Sequence, residues 1–197
     1  MTASKATRQL TLTAMFIALV VLLGLTPLGL IPLGFINVTI LHIPVIIGTL
    51  VLGLKGGLIL GCTFGLVSTL RAFGIPLPAS ALVSNLMAES PLLVVAMSML
   101  PRLLVPVATH GVYRLLEGRG AHPGVALAVS AVAGTLTNTI FYLGLMLLFY
   151  VLTALDAAAV LGLIAGTGAL GGGAEAVVAA LLTTPVVLAL RKIQKRK

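Results

Sequence analysis

The chain has 197 residues, of which 59% are hydrophobic and only 8% are charged, and its mean hydropathy is +1.22. Soluble globular domains carry about 25% charged residues, so this composition excludes that class. It predicts an all-α, polytopic integral membrane protein in which residues 1–197 form a single transmembrane domain embedded in the lipid bilayer. The formal net charge of +8 fits cytoplasmic loops beside an anionic leaflet, so we expect no nucleic-acid partner.

Six transmembrane helices are predicted in chain order, because a spanning helix needs about 20 apolar residues. They cover approximately residues 7–25, 40–52, 57–70, 91–116, 124–150 and 173–190. Residues 26–39 and 71–82 are rich in proline and glycine and predict irregular loops, and residues 53–56 predict a tight turn. Residues 153–170 are apolar but glycine-rich, which is compatible with a partial or re-entrant helix.

Small residues mark two faces of these helices. Ala14 and Ala18 lie one turn apart on the first helix, and Gly57, Gly61 and Gly65 follow at four-residue steps on the third. Helices in lipid associate through close packing over small residues rather than through burial of apolar surface. Both faces are therefore predicted to be sites of close helix contact, and the strip on the first helix is a candidate docking site for a partner.

The positive-inside rule orients the chain. If the N-terminus is cytoplasmic, 10 of the 12 Lys and Arg residues lie on the cytoplasmic side, and only Arg71 and Arg102 do not. Both termini are then cytoplasmic, and the long irregular loops all lie on the outer face. This asymmetry predicts a cup that opens outward and is covered by loops.

Three polar residues are predicted at membrane depth: Arg102, Asn138 and Glu175. An arginine at the centre of a spanning helix costs about 2.5–3.5 kcal/mol on insertion scales, so Arg102 must face the interior and find a partner. One interpretation is a structural ion pair between Arg102 and Glu175, with Asn138 as a hydrogen-bonding strut. The other is a binding site in which Arg102 holds an anionic group of a ligand and the other two hold its polar atoms.

Two further residues are candidates for the same site. His42, near the outer end of the second helix, is either a satisfied interior residue or a ligand contact. Asn37, in the first outer loop, either caps the second helix or reaches into the cup.

The motifs of several enzyme classes are absent from the sequence. It contains no P-loop, no G-x-S-x-G, no H-E-x-x-H and no Cys/His cluster with metal-ligand spacing. We therefore expect no catalytic residues, no metal, no cofactor and no ATP hydrolysis by this chain. An intramembrane enzyme, an autonomous channel and a structural membrane protein are the alternatives from other functional classes.

Five stretches of the chain carry a resemblance to a known family. The first helix has AMFIA at residues 14–18, with its two alanines four residues apart. The other four are HIPVIIGTLVLGLKGG at residues 42–57, LPRLLVP at 100–106, GTLTNT at 134–139 and EAVVAALLTTPVV at 175–187. In these stretches the chain resembles the substrate-binding S components of energy-coupling factor (ECF) vitamin transporters, whose A-x-x-x-A docking motif AMFIA matches. The pattern is most similar to the branch that includes pantothenate-specific members.

This resemblance implies a six-helix protein of the prokaryotic plasma membrane that captures a vitamin from outside. It implies association with an energizing module, made of a transmembrane coupling subunit and two ATPase subunits, and Ala14 and Ala18 would contact the coupling subunit. The chain has no Trp and few other aromatic residues for stacking on a flavin or thiamin ring. A small anionic ligand such as pantothenate suits an Arg, Asn and Glu site better, and another vitamin such as folate is the alternative.

Overall fold

The computed structural model describes residues 5–33, 36–76 and 79–195. Its elements are α1 (Lys5–Leu25), β1 (Leu30–Leu33), β2 (Ile36–Thr39), α2 (His42–Ala72), α3 (Ala81–Glu89), α4 (Pro91–Gly118), α5 (Pro123–Leu152), α6 (Ala157–Leu163) and α7 (Ala169–Lys195). Five of the described helices, α1, α2, α4, α5 and α7, are long and apolar enough to cross a membrane. The predicted all-α membrane architecture is confirmed, with one short β-hairpin added to it.

Helix α2 is broken at Gly53, which has a non-helical backbone with φ 80° and ψ −178°. We call the two parts α2a (residues 42–52) and α2b (residues 54–72). Gly48 of α2a packs directly against the Leu60 side chain of α2b. In a continuous helix these residues would be about 18 Å apart, so the two parts form a helical hairpin.

The break at Gly53 agrees with the tight turn predicted between the second and third helices. The 11 residues of α2a extend only about 16 Å, which is about half the thickness of the hydrocarbon core. Its N-terminus at His42 therefore lies deep in the bundle. With α2 divided at Gly53, the described residues contain six helical segments of 11 or more residues. The count of six complete spans and the cytoplasmic placement of both termini stay predictions.

The segments expected to be irregular contain regular structure. A 3₁₀ turn (Pro27–Gly29) leads into the antiparallel pair β1–β2, in which Pro32 lies opposite Asn37. Helix α3 lies between α2 and α4, where the sequence indicated only a loop. Helix α6 continues through a π-helical turn (Ile164–Gly168) into α7, so the predicted partial helix is present and joins the last span directly. We call the end of the bundle that carries the hairpin, α3 and α6 the hairpin end.

The hairpin of α2a and α2b packs against α1, α4, α5 and α7. The glycine face of α2b provides the close contact with α4. Gly61 lies against the backbone carbonyl of Arg102, and Gly57 lies against Pro106. A Cβ atom at Gly61 would be 2.6 Å from that carbonyl oxygen. The predicted close packing over small residues is thus present, and its partner is α4.

At the end of the bundle opposite the β1–β2 hairpin, the Arg191 side chain links α7 to α4 and to α2a. Its guanidinium donates to the Tyr113 hydroxyl at 2.5 Å and to the Leu50 carbonyl at 2.9 Å, and it lies 4.7 Å from the centroid of the Tyr113 ring. The Tyr113 hydroxyl donates in turn to Glu117 at 3.1 Å. Because the helical ladder is interrupted at Gly53, the last carbonyls of α2a need donors from outside the helix, and Arg191 supplies one.

Replacing Arg191 with alanine is expected to lower the thermal midpoint of the purified protein, since it removes two hydrogen bonds and leaves the Leu50 carbonyl without this donor. The expected decrease in the free energy of unfolding is about 2 kcal/mol. The neighbouring Lys192, which is exposed, provides the control. Equal thermal midpoints for Arg191→Ala and Lys192→Ala would show that these bonds contribute nothing to stability.

Candidate functional site

Glycine contacts fix the register between the helices that carry the predicted site residues. Gly134 of α5 packs against Thr109 of α4 and against Ile46 of α2a. Gly172 of α7 packs against Thr139 of α5. These contacts allow the depth of every other residue on the four helices to be counted from the level of Gly134.

The predicted residues share one layer of the bundle. At a rise of about 1.5 Å per residue, His42 and Asn138 lie about 6 Å from the Gly134 level toward the hairpin end. By the same count Glu175 lies about 3 Å and Arg102 about 10 Å from that level, on the same side. The Cα atoms of the four residues therefore fall within a layer about 8 Å thick, at the depth where α2a begins, which we call the polar layer.

The two prolines of α4 explain the local surroundings of Arg102. Pro101 has no N–H, so the Met97 carbonyl one turn earlier loses its helical donor. The Arg102 Nη1 donates to that carbonyl at 3.3 Å. In the same way Pro106 frees the Arg102 carbonyl, and this is the oxygen that Gly61 approaches. The LPRLLVP stretch thus fixes both the backbone and the side chain of Arg102.

Two aromatic rings flank the Arg102 guanidinium. Its central carbon lies 4.4 Å from the centroid of Tyr142 and 5.2 Å from that of Phe64. Stacking on aromatic faces partly offsets the cost of removing the charge from water. The Arg102 Nε is buried without a hydrogen-bond partner among the described residues.

In the described part of the chain, the Arg102 side chain contacts the Met97 carbonyl and the two rings, and no ion pair joins it to Glu175. That interpretation is not supported. The prolines and the rings hold the arginine in place, so a carboxylate partner is not needed to position it. No carboxylate of the described residues neutralises its charge.

Asn138, Glu175 and His42 are almost completely removed from the surface, with exposures of 8%, 9% and 0%. The Oδ1 atom of Asn138 has no hydrogen-bond partner in the described part of the chain. One turn earlier on α5, the Oγ1 of Thr135 is also buried without one. Buried polar atoms normally have partners, so the Asn138 Oδ1 and the Thr135 hydroxyl are available to a group that the described residues do not supply.

Asn37 lies on β2, and β2 packs against α7, the helix that carries Glu175. The β1–β2 hairpin therefore covers this layer on the side that faces the hairpin end of the bundle. The side chain of Asn37 lies outside the described residues, so its role in the site stays a prediction.

Ala14 and Ala18 lie on the exposed face of α1, together with Met15 and Leu22. The opposite face of α1 packs on α2, where Gly24 contacts Val67. The small strip is therefore not used for packing within the chain. It remains accessible from the bilayer, as a docking strip must be.

Sequence reasoning missed the two aromatic residues and Thr135. Tyr142 follows Asn138 by four residues, and Phe64 follows Gly61 by three, so each lies on the same face of its helix as a residue already singled out. That spacing was the available signal. Within the described residues no three His, Cys, Asp or Glu side chains are grouped so that they could hold a metal ion.

Comparison with known proteins gives two matches. The family model described as ECF transporter, substrate-specific component, matches residues 8–187. The chain is also similar to the pantothenic acid transporter PanT of Lactococcus lactis subsp. cremoris (strain MG1363). The two are 33% identical over 159 residues, which cover 76% of this chain and 76% of that protein.

Proposed function

The chain belongs to the family of substrate-specific components of ECF transporters, and from this premise we propose that it captures pantothenate. Capture takes place at the outer side of a prokaryotic plasma membrane, in the buried polar layer. A separate energizing module then drives release to the cytoplasm. In this account the chain binds and delivers the vitamin, and catalysis is left to its partners.

The observation that supports the proposal most directly is that the Arg102 guanidinium has no paired carboxylate among the described residues. Its charge lies at membrane depth, flanked by Phe64 and Tyr142, and no carboxylate among the described residues pairs with it. A ligand carboxylate fits the free hydrogen-bonding edge of a guanidinium and would neutralise the charge. The ligand would thereby supply the ion-pair partner that Arg102 does not find among the described residues.

The neighbouring groups suit the rest of a pantothenate molecule, which carries an amide and two hydroxyl groups. The unpartnered Oδ1 of Asn138 accepts a hydrogen bond from an amide N–H or a hydroxyl, and the Thr135 hydroxyl can donate or accept. A site built to bind such groups discriminates strongly against analogues that lack them. The name of the Lactococcus relative points to the same ligand.

The energy source is assigned to partners because the chain carries no phosphate-binding loop. We assign the docking of a transmembrane coupling subunit, which is joined to two ATPase subunits, to Ala14 and Ala18. Their exposure on α1 leaves room for a second helix to approach closely. The docking strip and the polar layer lie on different helices, so docking and ligand binding are separable functions.

Calorimetric titration of the purified protein tests the proposal. Pantothenate should bind tightly in the absence of nucleotide and of any partner, whereas folate should not bind. Tight binding of folate or another vitamin, with none of pantothenate, would keep the capture role and change the substrate. Failure of every vitamin to bind would contradict the capture role itself.

A further inference from the structure

A second arginine stands between the polar layer and the hairpin end. Arg71 lies in the last turn of α2 and is half-buried. Since Gly65 of α2b packs against Met99 of α4, Arg71 lies about 9 Å beyond Met99 and about 14 Å beyond Arg102 along the bundle. In depth it therefore lies between Arg102 and the hairpin end.

The Tyr142 ring stacks on the Arg102 guanidinium, and the Phe64 ring flanks the same group. Arg71 follows Phe64 by seven residues, which is two helical turns, so it lies on the face of α2b that is turned toward Arg102. The charges of both arginines also act on the Tyr142 side chain. Side chains on an α-helix lean toward the helix N-terminus, which for α2b means toward the layer. The Arg71 side chain therefore leads back along the bundle toward Tyr142.

Among the described residues, no acidic side chain forms an ion pair with Arg71 or Arg102. The salt bridge recorded among the described residues joins Arg114 to Glu117, at the opposite end of α4. A basic residue in the last turn of a helix also interacts favourably with the helix dipole. That interaction alone requires neither partial burial nor proximity to Tyr142. Two uncompensated positive charges along one route create a field that attracts an anion inward.

We propose that Arg71 is the first contact for the ligand carboxylate, and that the carboxylate passes from Arg71 along the face of Tyr142 to Arg102. This inference rests on the proposed function and adds a division of roles to it. Arg71 controls how fast the anion is captured, and Arg102 controls how long it stays. Charges at the rim of a site act mainly on association rates, whereas buried partners act on dissociation rates.

Binding kinetics with radiolabelled pantothenate and rapid filtration test this division of roles. Arg71→Gln should lower the association rate about three- to tenfold and weaken its dependence on salt. The dissociation rate should change by less than about twofold. Arg119→Gln removes the same charge from an exposed position at the opposite end of α4 and should leave both rates unchanged.

The neutral alcohol panthenol, which lacks the carboxylate, extends the test. Its association rate should be equal in the wild type and in Arg71→Gln. An unchanged rate and salt dependence for pantothenate in Arg71→Gln, with normal binding by the wild type, would overturn this inference alone. A wild type that binds no pantothenate would overturn the proposed function, and this inference with it.

Discussion

Replacing Arg102 with alanine is expected to raise the Kd for pantothenate at least about thirtyfold and up to several thousandfold. Losing one partner of a buried, hydrogen-bonded charge pair costs about 2–5 kcal/mol, and each 1.4 kcal/mol changes affinity about tenfold. The Kd of Arg102→Lys should lie between those of the wild type and of Arg102→Ala. An ammonium group keeps the charge but lacks the planar fork of the guanidinium and its stacking on Tyr142. Calorimetry on the three purified proteins measures the series.

The carboxylate itself can be tested by a double-mutant cycle. Panthenol should bind the wild type weakly, and Arg102→Ala should then cost little more, because ligand and protein each contribute one half of the same contact. Additive losses would show that Arg102 does not contact the carboxylate. A monodisperse elution profile of the variant in detergent, equal to that of the wild type, shows that it inserts and folds. Wild-type affinity of folded Arg102→Ala for pantothenate would make Arg102 structural.

Replacing Ala14 with tryptophan should abolish assembly with the energizing module while leaving ligand binding intact. A large ring on the small strip keeps the partner helix from approaching, and overpacking of this kind costs about 1–3 kcal/mol. The affinity for the energizing module should therefore fall about five- to a hundredfold, so that little or no coupling subunit and ATPase co-purifies at low protein concentration. Ligand affinity, measured on the free protein, should be unchanged, because Ala14 is exposed and lies on a helix that carries none of the polar layer.

Gln9→Trp provides the matched control for this docking test. Gln9 is also exposed on α1, but it lies about 140° around the helix from Ala14 and about 180° from Ala18. The module should co-purify normally with this variant. Equal loss of assembly in both variants would assign the effect to α1 as a whole, and loss of ligand binding in Ala14→Trp would contradict a role confined to docking.

The long helices and the inward position of Arg102 were predictable from the sequence, because both follow from the free energy of placing side chains in lipid. Apolar runs of the required length identify the spans. Gly53 identified the turn inside α2, since only glycine adopts its positive φ without strain. A lone arginine inside such a run has to face the interior.

The hairpin-end elements and the detailed surroundings of Arg102 were not predictable in the same way. Helix α3 and the β1–β2 hairpin are short, and the segments next to them in the sequence are rich in the proline and glycine residues typical of loops. The sequence also suggested Glu175 as the partner of Arg102, because opposite charges at similar depth attract. The structure instead places Phe64 and Tyr142 there, a choice made by helix rotation and packing that periodicity alone does not determine.

A structure of the purified protein with bound pantothenate tests the central claim most directly. The account predicts the ligand within the layer that holds Asn138, Glu175 and His42, with its carboxylate oxygens about 2.7–2.9 Å from the Arg102 guanidinium nitrogens. A ligand bound elsewhere in the chain, or one that turns its neutral end toward Arg102, would contradict it.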